Sequence, residues 1–197
     1  MRILGIDPSL TCTGVAIIDD NHRAGLKVTT HTVETTPPKR AKGDKTPATI
    51  GERRQRLRTI RDLALPVVRG RLADLAVIEA PSYGSVGGSS WDRAGAWWLI
   101  VDRLLSGGMS VPVAIVPPAT RSVWACGSGK ASKSPIAVHM SRMWPDIDPT
   151  ITDDEWDALA LASMGAQHLG VIGTDLVRHW EQLAKIAWPE YPAGVAA

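Results

Sequence analysis

The sequence contains no phenylalanine, only two cysteines and two tyrosines, and no apolar run of about 18 residues that would span a bilayer. Each absence closes a class. Cys12 and Cys126 are too few for a disulfide framework or a cysteine zinc site, and they suit a reducing compartment. No membrane-spanning helix is expected. Met1-Arg2 leads straight into a strand pattern with no signal peptide, so the expected location is the cytoplasm. Internal repeats are also lacking. Aromatic bulk comes instead from eight tryptophans, read as core filling and as stacking surface.

The net charge of +2 conceals an asymmetry. Residues 36–71 carry eleven Lys or Arg against three acids, whereas residues 146–197 carry nine acids against two basic residues. A basic half and an acid-rich half suit a protein that holds a polyanion on one surface and a divalent metal on another. The plain alternative is a solvated surface with no such role. At 197 residues the chain is long enough for one domain with a full core.

The first stretch organises the rest. Ile3, Leu4 and Ile6 form an apolar run that ends on Asp7, and Pro8 biases that acid towards an extended conformation. Gly14 lets the chain re-enter a β run, Val15 to Ile18. One reading of Asp7 is a turn residue bonded to the Ser9, Thr11 or Thr13 hydroxyls; the other is a metal or phosphate site. A third strand is expected over 26–35, stopped by Pro37-Pro38, and a mobile basic loop over 39–48. A helix should follow from Ile50 to about Val68, with Arg54, Arg58 and Arg61 on one face. Leu72 to Glu79 reads as a buried strand, again ending on an acid. A helix over Ser90 to Leu105, a strand over Val111 to Val116, a short helix over 119–125 and a helix over 134–144 come next. Thr152-Asp153-Asp154-Glu155 has the spacing of a capping box, opening a helix to about Leu169. A last helix is expected over 174–187. This order predicts an α/β fold, a mixed five-stranded sheet with helices on both faces, with one domain over 1–170 and a C-terminal helix and tail over 171–197.

The acids carry the chemistry. Asp7 and Glu79 both terminate strands, and parallel neighbouring strands would deliver them to one sheet edge. Asp154 and Asp157, three apart on a helix, share a face near its N-terminus. Acids converging without basic partners repel one another unless they hold cations, and oxygen ligands suit Mg²⁺ or Mn²⁺. A helix N-terminus also favours acids through its dipole. Asp153 and Asp154 are both first-turn residues, so spacing does not choose between them. Gly127-Ser128-Gly129-Lys130-Ala131 lacks the spacing and hydroxyl of a phosphate loop.

Gly5-Ile6-Asp7-Pro8-Ser9 with Gly14-Val15-Ala16, Val77-Ile78-Glu79, and Asp154-Glu155-Trp156-Asp157-Ala158-Leu159-Ala160 resemble the RuvC family of Holliday junction resolvases, within the RNase H-like superfamily. The last block repeats the family's D-x-x-D-A-L-A pattern, which favours Asp154 over Asp153. The resemblance implies a homodimeric, Mg²⁺-dependent endonuclease with Mn²⁺ as a substitute. It would nick two opposed strands of a four-way DNA junction to leave 5′-phosphate ends, with Asp7, Glu79, Asp154 and Asp157 as its metal-binding acids. Lys133 resembles the family's active-site lysine, Lys130 is a second candidate and Arg121 stands near an upstream basic position; all three are candidate DNA contacts. Tyr83, four residues after Glu79, stands where the family places an aromatic wedge. Phosphate contacts are expected from Arg54 and Arg58. A ribonuclease H-type nuclease and a non-catalytic branched-DNA binder are the alternatives; a sugar-kinase-like or actin-like ATPase would need a second phosphate turn and a longer chain. The helix bearing Trp97-Trp98 and Leu104-Leu105 is a candidate dimer interface or ordinary core.

Overall fold

The computed structural model describes residues 1–21, 25–65, 73–81, 89–106, 110–129 and 133–190, with the side chains of 133 and 134 outside that description. Five strands form one sheet: β1 (Arg2–Asp7), β2 (Cys12–Asn21), β3 (Gly25–Glu34), β4 (Leu75–Glu79) and β5 (Val113–Val116), in the order β3-β2-β1-β4-β5. β1, β2 and β3 are antiparallel neighbours, whereas β4 and β5 run parallel to β1. The described helices are α1 (Ile50–Ala64), α2 (Ser90–Leu105), α3 (Pro118–Cys126), α4 (Lys133–Met143), α5 (Asp153–His168) and α6 (Val177–Leu183). The mixed α/β sheet with helices on both faces is the expected one.

Successive side chains of a strand point to opposite faces, and the central strands therefore feed two cores. Leu4, Ile6, Val15, Ile17, Ala76 and Ile78 face α1 and α2. Ile3, Ala16, Ile18, Leu75 and Val77 face α5, with α3 and α4 beyond it. Burial on both faces explains the near-continuous apolar runs of β1 and β4. Residues 171–190 add Leu183 and Ile186 to the α5 side of the core.

Some boundaries differ from expectation for local reasons. β4 starts at Leu75 because the Asp74 carboxylate accepts from the Arg2 amide (2.7 Å) ahead of the ladder. β5 starts at Val113 because Pro112 has no N–H to pair, although its carbonyl accepts from Ala76. α1 ends at Ala64, and the expected extension to Val68 falls outside the described residues. α6 is shorter than 174–187 because the Thr174 hydroxyl accepts from the Leu176 amide (3.1 Å), a local turn that competes with helix. The 39–48 segment is tethered rather than free. Arg40 bonds both oxygens of Glu52 (2.8 and 2.7 Å), and Glu52 also closes the capping box of α1 with Thr49.

Candidate active site

Register alone delivers two acids to one edge. Asp7 closes β1 and Glu79 closes β4, with Ile6 paired to Ile78 immediately before them. Two anchors hold that edge. Trp97 on α2 donates its indole N–H to the Glu79 carbonyl (2.8 Å). Arg56 on α1 donates to the Leu10 carbonyl (2.5 Å) and to Thr35 (3.1 Å to the hydroxyl, 3.3 Å to the carbonyl), fixing the turn that follows Asp7. Inside that turn the Thr13 hydroxyl accepts from the Ser9 amide (3.0 Å) and donates to its carbonyl (2.7 Å). These hydroxyls hold the turn's own backbone.

Helix α5 brings the other pair. Its N-terminus is fixed by the predicted capping box. The Glu155 amide donates to the Thr152 hydroxyl (3.2 Å), and Glu155 Oε2 accepts from the Thr152 amide (2.9 Å). Thr30 and Thr32 of β3 also hydrogen-bond the Glu155 carboxylate. Burial alone would raise the Glu155 pKa; these bonds outweigh it and hold the group below its ordinary value, charged in place. The helix lies almost against the sheet backbone. A Cβ on Gly5 would overlap the Ala158 carbonyl, one on Gly14 would overlap the Asp154 carbonyl, and one on Gly165 would sit 2.8 Å from Ile3 and Val77 side-chain carbons. Asp154 and Asp157 thereby reach the Asp7–Glu79 edge. Asp157 is buried and Asp154 half-buried, and both raise the pKa values of Asp7 and Glu79. Asp153 is exposed.

The fifth member is cationic. α3 begins just past β5, whose Val116 pairs with Glu79. Its first turn places Arg121 Nε 2.8 Å from Glu79 Oε2 and Nη1 against Asp157 Oδ1. Arg121 is 6% exposed. A candidate DNA contact is expected at the surface, whereas Arg121 is buried between two acids. The edge beyond the carboxyl ends of parallel strands is where open α/β sheets place their sites. An arginine one helical turn past the end of β5 carried that signal. α3 is itself held by Trp124, whose indole donates to Gln167 Oε1 of α5 (2.9 Å) and whose ring stacks on His179 of α6 (4.3 Å between centroids).

Burial pushes the Asp7 carboxyl well above the usual range, and neighbouring Glu79 adds to it. Burial, then Asp157 and Asp154, push Glu79 up to about 7 against the opposing pull of Arg121. A carboxyl whose folded pKa lies above its unfolded one binds its proton more tightly in the fold. The stability it contributes is complete below its unfolded pKa of about 4.5 and is lost as pH rises through about 7. Metal-free protein should therefore lose stability between about pH 5 and 7.5 in urea titrations, and Glu79→Gln should flatten that slope. A slope unchanged in the variant would contradict this.

Arg54 is exposed and Arg58 partly so on α1, while Arg53 on that helix is committed to Asp92 of α2 (2.6 Å). Lys133 opens α4, with its side chain outside the description, and Lys130 and Tyr83 lie outside the described residues. Among the described residues, no three acidic, histidine or cysteine side chains are grouped to hold a metal ion as they stand. The donor chemistry nevertheless fits one, because four carboxylates, Asp157 buried and the other three partly so, share one edge with Arg121 among them.

No family model matches the chain. A protein named crossover junction endodeoxyribonuclease RuvC from Frankia casuarinae is 31% identical over 166 residues, covering 82% of this chain and 87% of the relative. The protein of that name from Rhodopseudomonas palustris is 30% identical over 176 residues, covering 86% and 89%. Among solved structures, Thermus thermophilus RuvC superposes with a TM-score of 0.63 at 20% identity, covering 86% of this chain and 97% of that one. The yeast mitochondrial Holliday junction resolvase gives 0.53 at 13% identity, covering 93% and 80%. The two solved structures share the fold, and the curated relatives share the sequence over most of both lengths: this chain belongs to the RuvC family of crossover junction endodeoxyribonucleases.

Proposed function

We propose that the chain is a metal-dependent endonuclease that resolves four-way DNA junctions by paired nicks, Asp7, Glu79, Asp154 and Asp157 holding Mg²⁺, or Mn²⁺ in its place. The observation that carries this is the convergence of β1, β4 and α5 acids on one partly buried edge of a RuvC-family fold. A bound divalent ion supplies a polarised water and charge neutralisation at the scissile phosphate. The chain's own residues do the rest. The carboxylates orient and fix the site, with Trp97 and the Thr152–Glu155 cap keeping their backbones still. Lys133 meets charge developing on the phosphate. Lys130, Arg54 and Arg58 contact backbone phosphates, which sets register without reading sequence. Tyr83 stacks on an unpaired base. The nuclease unit spans residues 1–170, with 171–197 appended.

The working form is a homodimer, one subunit for each of the two opposed cuts. α2 supports this reading. Its inner face buries Trp97, Ile100, Val101 and Leu104, while Trp91, Trp98 and Leu105, seven residues apart in turn, are 83%, 64% and 56% exposed. The sequence pairs Trp97-Trp98 and Leu104-Leu105 thus divide, one member of each into the core and the other onto the surface. Large apolar side chains in line on one face mark an association surface. Trp98→Glu should convert the dimer to a folded monomer in equilibrium sedimentation; an unchanged mass would remove this face from the interface.

The test of function is a substrate panel: four-way junction, three-way junction, linear duplex and RNA–DNA hybrid, each with Mg²⁺ or EDTA. Cutting of the four-way junction in Mg²⁺ alone supports the proposal. Cutting confined to the hybrid would make this a ribonuclease H-type enzyme, and junction binding without cutting would leave a binding protein.

A further inference from the structure

Arg121 is out of place for a site built to bind cations. It is buried and touches Glu79 and Asp157, two of the four clustered acids. Breaking a buried pair by removing one partner is costly, because it strands a desolvated charge. Here removal would strand two carboxylates beside Asp7 and Asp154, so in the metal-free chain Arg121 offsets their mutual repulsion. A divalent ion seeks the same oxygens, and a guanidinium already in contact with them stands within a few ångströms of any ion they bind, where like charges repel strongly.

Nor can the backbone of α3 easily retreat. Trp124, one turn beyond Arg121, is fixed by Gln167 of α5 and by the His179 ring, and its carbonyl accepts from Arg178 Nε (3.3 Å). The guanidinium itself is always charged, so it cannot yield by losing a proton. What remains free to change is the side-chain conformation of Arg121 about a fixed helix.

We propose that Arg121 is a resident cation of the acid cluster, holding Glu79 and Asp157 in the metal-free chain and exchanging with the metal when it loads. Loading is then a replacement of one cation by another, and Arg121 sets the affinity of the empty site. The inference rests on the metal-binding reading of the four acids.

The test titrates Mn²⁺ into the full chain without DNA, following free Mn²⁺ by electron paramagnetic resonance, and compares Arg121→Gln, Arg121→Lys and Asp7→Asn with the parent. A thermal melt in EDTA accompanies each. Removing a competing positive charge at contact distance should tighten Mn²⁺ binding of Arg121→Gln by about tenfold or more, while lowering its melting temperature in EDTA and enlarging the rise on adding Mn²⁺. Arg121→Lys keeps the charge on a shorter stem that cannot span two carboxylates as a planar fork, so it should bind Mn²⁺ a fewfold more tightly than the parent. This variant decides the matter if the glutamine form does not fold. Equal or weaker Mn²⁺ binding in these variants, with binding still lost in Asp7→Asn, overturns the exchange and leaves the metal site standing. Absence of Mn²⁺ binding in every form, or binding indifferent to Asp7, overturns the metal reading and the exchange with it.

Discussion

Gly14→Ala should unseat helix α5 from the sheet and abolish junction cutting, although it adds a single methyl group. Gly14 lies in β2 with ordinary strand geometry, paired to Asp7 of β1 and Thr32 of β3. It is needed for space. A Cβ there would overlap the Asp154 carbonyl and stand 3.0 Å from the Glu155 amide. These are backbone atoms in the first turn of a helix whose cap is tied to β3, so no flexible side chain can swing aside. Overpacking of this kind costs about 3 kcal/mol or more where the backbone must move. The motion required also carries Asp154 and Asp157 away from Asp7 and Glu79, and a shift of about 1 Å in a site can cost roughly 100-fold in rate. Urea denaturation and junction cleavage measured together would show both losses. Gly51→Ala is the matched control: this exposed α1 glycine has only the Thr49 hydroxyl within reach of an added Cβ, at 3.9 Å. It should stabilise the protein by up to about 1 kcal/mol. Equal effects from the two substitutions would contradict the close approach of α5.

Asp7→Asn should separate folding from chemistry. The change removes a negative charge from a partly buried set in which Asp7 is the acid pushed well above the usual range by its surroundings. In EDTA the variant should melt higher than the parent above neutral pH, because one source of repulsion is gone. With Mg²⁺ the order should invert, since the parent gains stability from an ion that the variant cannot hold as well. Cutting should fall by about 1,000-fold, near the upper range for loss of one electrostatic contributor to a transition state. Four-way junction binding at low salt should stay close to that of the parent, because phosphate contacts dominate affinity. A variant that cuts normally, or one that is destabilised in EDTA, would contradict the role given to Asp7.

The acids on strand ends were readable because a strand that stops on a carboxylate needs only parallel pairing to place it, and Ile6 does pair with Ile78. The cap was readable because Thr152 and Glu155 interact within one turn. Asp154 could be chosen over Asp153 only through the resemblance; in the fold, Asp153 is exposed and Asp154 acts on Asp7 and Glu79. Arg121 was legible as basic but not as buried, because its environment is assembled from β4, α3 and α5, far apart in the chain. The tryptophans follow the same rule. Trp97, Trp124, Trp144 and Trp188 each donate an indole N–H to an acceptor, a contact phenylalanine has no means to make. Their preference over phenylalanine at these positions has a physical reason visible only once the acceptors are placed.

The proposed activity is decided by where strands are cut. The most direct measurement maps nicks at nucleotide resolution on an immobile four-way junction, each strand end-labelled in turn, with Mg²⁺ and with EDTA. Two nicks are expected at symmetric positions in opposed strands, sealed by DNA ligase without further processing because 5′-phosphates meet 3′-hydroxyls, and no nicks in EDTA. Nicks that survive EDTA, fall on all strands without symmetry, or are absent while the junction is bound would contradict the proposed activity.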